Sequence, residues 1–192
     1  MKVVSPIALT MGEPAGIGGE IALRAWANRA ETGVPIFFVI DDRKRLEGLS
    51  SALNWPFQTI TITTPEEALD VFRHGLPVLE HTLPGSITPG RPDPINAPSV
   101  ISSIDTALSF VQSGAAGAIV TNPIHKGTLY DAGFEYPGHT EYLAAKAKGL
   151  RAVMMLACDE LRAVPVTTHL SLEKAIKVLN TEDIVEVTKI TA

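Results

Sequence analysis

Two of the five histidines stand where a loop turns into a helix. In "PGHTEYLA" (137–144), His139 precedes Thr140, which reads as a helix N-cap with Glu141 in the first turn. An imidazole there can donate to an anion, and the N-terminal amides can assist it. It can equally serve a purely structural role. In "VTTHLS" (166–171), His169 ends an apolar run just before the cap Ser171. A neutral imidazole at such a point is a common metal ligand, although catalytic zinc takes about three protein ligands. "GEPAGIGGE" (12–20) places Gly16, Gly18 and Gly19 where a strand turns into a helix. Glycines there permit positive φ and let a ligand approach backbone, and the helix start offers free N–H groups to an anion. Ile21 stands where the third glycine of G-x-G-x-x-G would be, so a tight turn without a ligand is an equal reading. "TNPIHKGTLYDAG" (121–133) adds Asn122, His125 and Lys126, able to bind an anion or to sit solvated in a loop. His74 and His81 flank a proline-rich stretch and read as surface residues.

These residues need a frame, and the sequence alternates strand-like and helix-like runs. Apolar runs at 3–11, 34–41 and 116–123 read as buried strands, and "FQTITIT" (57–63) as an edge strand. Helices are predicted over 18–30, 42–53, 64–75, 99–114, 139–149 and 171–180, with another starting at 181. Thr64, Pro65 and two glutamates mark one start, and Gly114 marks one stop. Runs 151–157 and 162–169 read as further strands, and 76–98, with six prolines, as an irregular excursion. The pattern predicts an α/β/α sandwich around a mostly parallel sheet. The candidate residues all follow strands, at the sheet edge where ligands collect in such folds.

The 192 residues are 45% hydrophobic and 19% charged, with net charge −5, an ordinary globular composition. No basic cluster offers a footprint for nucleic acid or an anionic membrane. No run is long enough for a membrane span, and the N-terminus reads as a strand rather than a signal peptide. The single Cys158 follows an apolar run, is expected to pack as a small hydrophobe, and fits a reducing cytoplasm.

Taken together, "TMGEPAGIGGEI", "IVTNPIHKGTLYDAGFEYPGHTEYLA" and "RAVPVTTHLSL" resemble the 4-hydroxythreonine-4-phosphate dehydrogenases of pyridoxal phosphate (vitamin B6) biosynthesis. The resemblance runs along the whole chain. It implies the fold of isocitrate and isopropylmalate dehydrogenases, with a first α/β domain over 1–125 and the start of a second over 126–192. It implies an NAD-dependent oxidation (NADP being the alternative) and decarboxylation of 4-phosphooxy-L-threonine, a small phosphorylated amino acid. It implies a divalent metal (zinc, magnesium or cobalt), a homodimer, and an active site at the dimer interface. By the same resemblance His139 and Thr140 bind substrate, His169 binds metal, and the two histidines serve one substrate. Gly12, Glu13, Gly16 and Gly18 would lie at the cofactor.

Position 19 is glycine where relatives usually have proline. Family members are far longer. Their remaining metal histidines, and the lysine, asparagine and arginine of the substrate pocket, belong to a later, C-terminal half absent from these residues. Two alternatives accompany the main reading: a related dehydrogenase acting on a phosphothreonate or cis-diol, and a non-catalytic fragment.

Overall fold

The computed structural model describes residues 5–147 and 150–192. The chain divides into two compact units, Met1–His139 and Thr140–Ala192.

The first unit is built on β1 (Ile7–Thr10), α1 (Gly18–Ala27), α2 (Arg29–Thr32), β2 (Phe37–Asp41), α3 (Arg43–Ala52), β3 (Thr59–Ile62), α4 (Ala68–Val71), β4 (Leu76–Glu80), α5 (Ala97–Ser113), β5 (Ala118–Val120) and α6 (Lys126–Asp131). Five strands form one sheet in the order β3-β4-β2-β1-β5, every pair parallel. Alternate residues of each strand face opposite sides. On one side Leu9, Phe37, Val39, Leu76 and Val78 pack against Ala22, Leu23 and Trp26 of α1 and Leu46 of α3. On the other, Ala8, Phe38 and Ile40 pack against Ala107, with Phe110 and Val111 of α5 behind. Covering both faces is why the first four residues of β2 are all apolar rather than alternating.

Local signals in the sequence set several boundaries. Thr64 and Glu67 form a capping box around a short 3-10 turn, Pro65–Glu67, that leads into α4. Gly114 ends α5 in the left-handed conformation, φ 80°. Ser103 of α5 receives the Met11 amide at 3.1 Å and donates to the Ile40 carbonyl at 2.9 Å. That hydroxyl fixes α5 against the carboxyl ends of β1 and β2.

The sheet also corrects the sequence reading. The stretch expected to be irregular from residue 76 begins with β4, an internal strand. Pro77 is tolerated because the Leu76 amide already serves Gln58 of the neighbouring segment, and the ladder to β2 starts only at Val78. β5 was expected to be buried, but it is an edge strand whose residues are exposed or partly exposed. β3 is the other edge, as its alternation implies. Val3 and Val4, read as the start of the first strand, lie outside the described residues.

The second unit holds α7 (His139–Lys146, whose first residue closes the first unit), β6 (Leu156–Ala157), β7 (Arg162–Ala163), α8 (Leu172–Val178) and α9 (Thr181–Thr191). The runs 151–157 and 162–169 were expected to be full strands. Among the described residues they yield one antiparallel ladder of two residues a side. A strand needs a hydrogen-bonded neighbour along its length, and each of these finds only the other. Cys158 is exposed rather than packed, because the flanking Leu156 and Leu161 are themselves exposed. Ser171 caps α8 and Asn180 caps α9. The predicted end of α7, Lys148 and Gly149, lies outside the described residues. Among the described residues no helix is long and apolar enough to cross a membrane.

Candidate functional site

The strand order makes β1 and β5 neighbours whose connections run to opposite sides, a topological switch point. The glycine-rich turn follows β1 and the Asn122 loop follows β5. Asn122 is buried; its amide donates to Thr10 Oγ1 at 3.2 Å, and its side chain donates to the Thr10 carbonyl at 2.9 Å. The Glu13 amide donates to the Pro123 carbonyl at 2.8 Å. Gly12 has φ +68°, and a Cβ there would lie 2.6 Å from the Pro123 oxygen. Glycine is therefore required by the approach of the two loops as well as by its φ. The Glu13 carboxylate is buried and accepts from the Ala15 amide at 2.9 Å, closing its own turn. Gly16 donates its amide to the Glu13 carbonyl, and Gly18 opens α1, which no side chain caps.

Beside this turn lies a cleft of about 430 Å³, walled by Pro14–Gly16 and Glu20, by α3, and by the loop 83–89. The loop is tied down at both ends. The Leu83 amide donates to Asp42 Oδ2 at 3.0 Å, and the Gly90 amide to the Ala15 carbonyl at 2.8 Å. In the wall, Arg45 donates to Asp41 Oδ2 at 2.9 Å and to the Pro14 carbonyl at 3.2 Å. Burial pushes the Asp41 carboxyl up to about 6, against the pull of Arg45 and the Asp42 amide. Asp41, Arg45 and Glu20 were not singled out in the sequence. The available signal was "DDRKR" directly after a buried strand, a charged run where a solvated helix start was the simpler reading.

Of the three polar residues after β5, His125 is a cap. Its Nδ1 accepts from the Thr128 amide at 3.1 Å and starts α6. Lys126 opens that helix and is exposed. His139 is half-buried, and its Nε2 is covered without a hydrogen-bond partner. Burial, and then the Lys126 charge, hold its pKa below the usual imidazole value. A neutral ring with a free nitrogen can donate to or accept from a ligand. His74 is exposed, as expected of a surface residue, whereas His81 is half-buried, and burial lowers its pKa.

In the second unit a pocket of about 400 Å³ is lined by Thr140, Glu141, Arg151, Thr168 and His169, among others. Helix α7 already includes His139, so Thr140 sits inside its first turn instead of capping it. His169 is held at φ 58°, a conformation uncommon for a side-chain-bearing residue and found disproportionately at functional sites. Its Nε2 lies 3.9 Å from Glu141 Oε1. Arg151 is engaged by Asp183 and Glu186, which anchor α9 to the pocket rim. An imidazole beside a carboxylate suits a borderline divalent metal in kind. Among the described residues no three His, Cys, Asp or Glu side chains converge on one point.

Sequence and structure comparisons converge. The model of the family described as pyridoxal phosphate biosynthetic protein PdxA matches residues 34–192. A 4-hydroxythreonine-4-phosphate dehydrogenase of Methylorubrum extorquens is 45% identical over 188 residues, covering 94% of this chain and 53% of that protein. The crystal structure of a 4-hydroxythreonine-4-phosphate dehydrogenase from Burkholderia phymatum superposes with TM-score 0.87 at 29% identity, over 98% of this chain and 57% of that one. One from Klebsiella pneumoniae gives TM-score 0.82 at 31% identity, over 97% and 58%. The chain thus spans about half the length of the curated relatives it matches. The family model covers most of the chain and the curated relatives agree with it, so the chain belongs to the pyridoxal phosphate biosynthetic protein PdxA family.

Proposed function

We propose that this protein serves the NAD-dependent oxidation and decarboxylation of 4-phosphooxy-L-threonine to 3-amino-2-oxopropyl phosphate, a step of pyridoxal phosphate formation in the cytoplasm. The observation that carries the reading is the 45% identity, over 94% of the chain, to a 4-hydroxythreonine-4-phosphate dehydrogenase. The finer fold reading is that of isocitrate and isopropylmalate dehydrogenases. In that reading a C-terminal half beyond these residues adds strands and pocket groups, and two copies assemble as a homodimer.

In the proposed reaction the substrate's secondary carbinol loses a hydride and its hydroxyl proton, giving a β-keto acid. Its carboxylate then leaves as CO₂, and the electron pair of the broken bond is taken up as an enolate that protonates at carbon. When bound, NAD supplies the hydride acceptor, and a divalent metal supplies Lewis acidity to the alcohol oxygen and the enolate. The chain's own residues bind and orient. Thr140 offers a hydroxyl in the first turn of α7, where the amides favour an anionic group. His139 presents a neutral imidazole whose Nε2 is unengaged. His169, with Glu141 beside it, would hold the metal. The cleft at the glycine-rich turn, with its uncapped helix and unpaired polar atoms, fits a polar cofactor such as NAD.

The test is NADH formation from 4-phosphooxy-L-threonine, with and without added zinc, magnesium or cobalt, in a full-length version that includes the C-terminal half, since these 192 residues alone are expected to be inactive. Turnover is expected to require the metal, and His169→Ala is expected to abolish that requirement along with most activity. His139→Ala should raise KM roughly 10–100-fold, the value of a hydrogen bond to a charged group. Metal-dependent turnover that survives unchanged in His169→Ala would sink the ligand assignment.

A further inference from the structure

Two charged side chains in the wall of the cleft beside the glycine-rich turn each leave a polar atom without a hydrogen bond. The Arg45 side chain is 6% exposed. Its Nε and Nη1 serve Pro14 and Asp41, but Nη2 has no partner. Glu20 Oε2 is likewise covered and unpartnered. The guanidinium lies against the first turn of α1, since a Cβ at Gly19, next to Glu20, would sit 3.0 Å from Arg45 Nη1. Buried polar groups are normally paired, and leaving a charged donor and a charged acceptor of one cleft lining both without partners is costly unless something completes them. The net charge of the pair is zero, which disfavours a bare anion. What it matches is a neutral planar edge that carries an acceptor next to an N–H donor.

We propose that this cleft reads such an edge on NAD, with Arg45 Nη2 donating to the ligand's acceptor and Glu20 Oε2 accepting from its N–H. The inference rests on the NAD reading above and deepens it by naming the two side chains of the cleft that would read the cofactor. Two parts of NAD carry that edge, the adenine ring and the nicotinamide carboxamide, and the cleft volume of about 430 Å³ suits one such ring with its ribose.

Calorimetric titration with AMP, nicotinamide mononucleotide and NAD⁺ separates the sources. One mononucleotide is expected to bind saturably and the other at least about ten-fold more weakly. Two variants test the place. Gly48 lies on α3 in the cleft wall, and a Cβ there meets nothing within 4 Å. Gly48→Leu therefore fills the cleft while raising helix propensity, so the unfolding midpoint should hold or rise. It is expected to lose binding of NAD⁺ and of the favoured mononucleotide, and Glu20→Ala to weaken both about ten-fold or more. NAD⁺ binding unchanged in a folded Gly48→Leu would overturn the site while leaving the cofactor reading intact. Failure of NAD⁺ and both mononucleotides to bind the unmodified protein would overturn both.

Discussion

Arg45→Met is expected to destabilise the first unit by about 3–5 kcal/mol, because it strands a buried carboxylate. Asp41 is fully buried at the end of β2, with the Asp42 amide on Oδ1 at 2.8 Å and Arg45 on Oδ2 at 2.9 Å. Its folded pKa of about 6 lies above the ordinary aspartate value of 3.8, since desolvation outweighs the guanidinium. The folded state therefore holds this proton more tightly. The stability gained from it is complete below 3.8 and is lost as pH rises through about 6. Removing Arg45 removes the largest influence that keeps the pKa down, so the loss should be greatest at about pH 8 and smaller at about pH 5. Asp41→Asn combined with Arg45→Met should recover much of the stability, since no ion is then left unpaired. Both tryptophans, Trp26 and Trp55, lie in the first unit, so urea unfolding followed by tryptophan fluorescence reads that unit alone. A loss under about 1 kcal/mol at the higher pH would mean that water reaches Asp41 and the pair is not buried.

The same pair shows where sequence reading reaches and where it stops. Asp41 and Arg45 are four residues apart, a spacing visible in the sequence. What lies against the Arg45 guanidinium is the first turn of α1 at Gly19, a distant segment of the chain, and no local pattern announces that. The parallel α/β frame was legible because covering a sheet on both faces leaves unbroken apolar runs such as residues 37–40. The caps at Thr64 and Ser171 and the stop at Gly114 were legible because their chemistry is local. β4 was hidden by Pro77, whose acceptability depends on which side of the strand its missing N–H faces. His125 read as a loop residue because histidine is not among the usual capping side chains. In the second unit Thr140 and His169 were legible as types, but their sharing of one pocket with Arg151 depends on packing between distant segments.

Gly12→Ala is expected to cost about 3 kcal/mol or more, and the comparison with Gly33→Ala shows why. Both glycines are left-handed, φ +68° and φ +65°, so both substitutions carry the strain of that conformation, about 1–2 kcal/mol. At Gly33 an added Cβ meets nothing within 4 Å, and the strain is the whole cost. At Gly12 it would lie 2.6 Å from the Pro123 oxygen and 2.7 Å from Asn122 Cβ. Neither can withdraw cheaply: the Pro123 carbonyl accepts the Glu13 amide, and Asn122 is bonded twice to Thr10. Relief requires the loop after β5 to part from the turn after β1 at the switch point of the sheet. The extra loss at Gly12, read by urea unfolding, therefore measures how firmly those two loops are joined. Equal losses at the two glycines would mean that the junction yields freely. A junction that yields could not hold the glycine-rich turn in one place for a cofactor, so this result bears on function as directly as on stability.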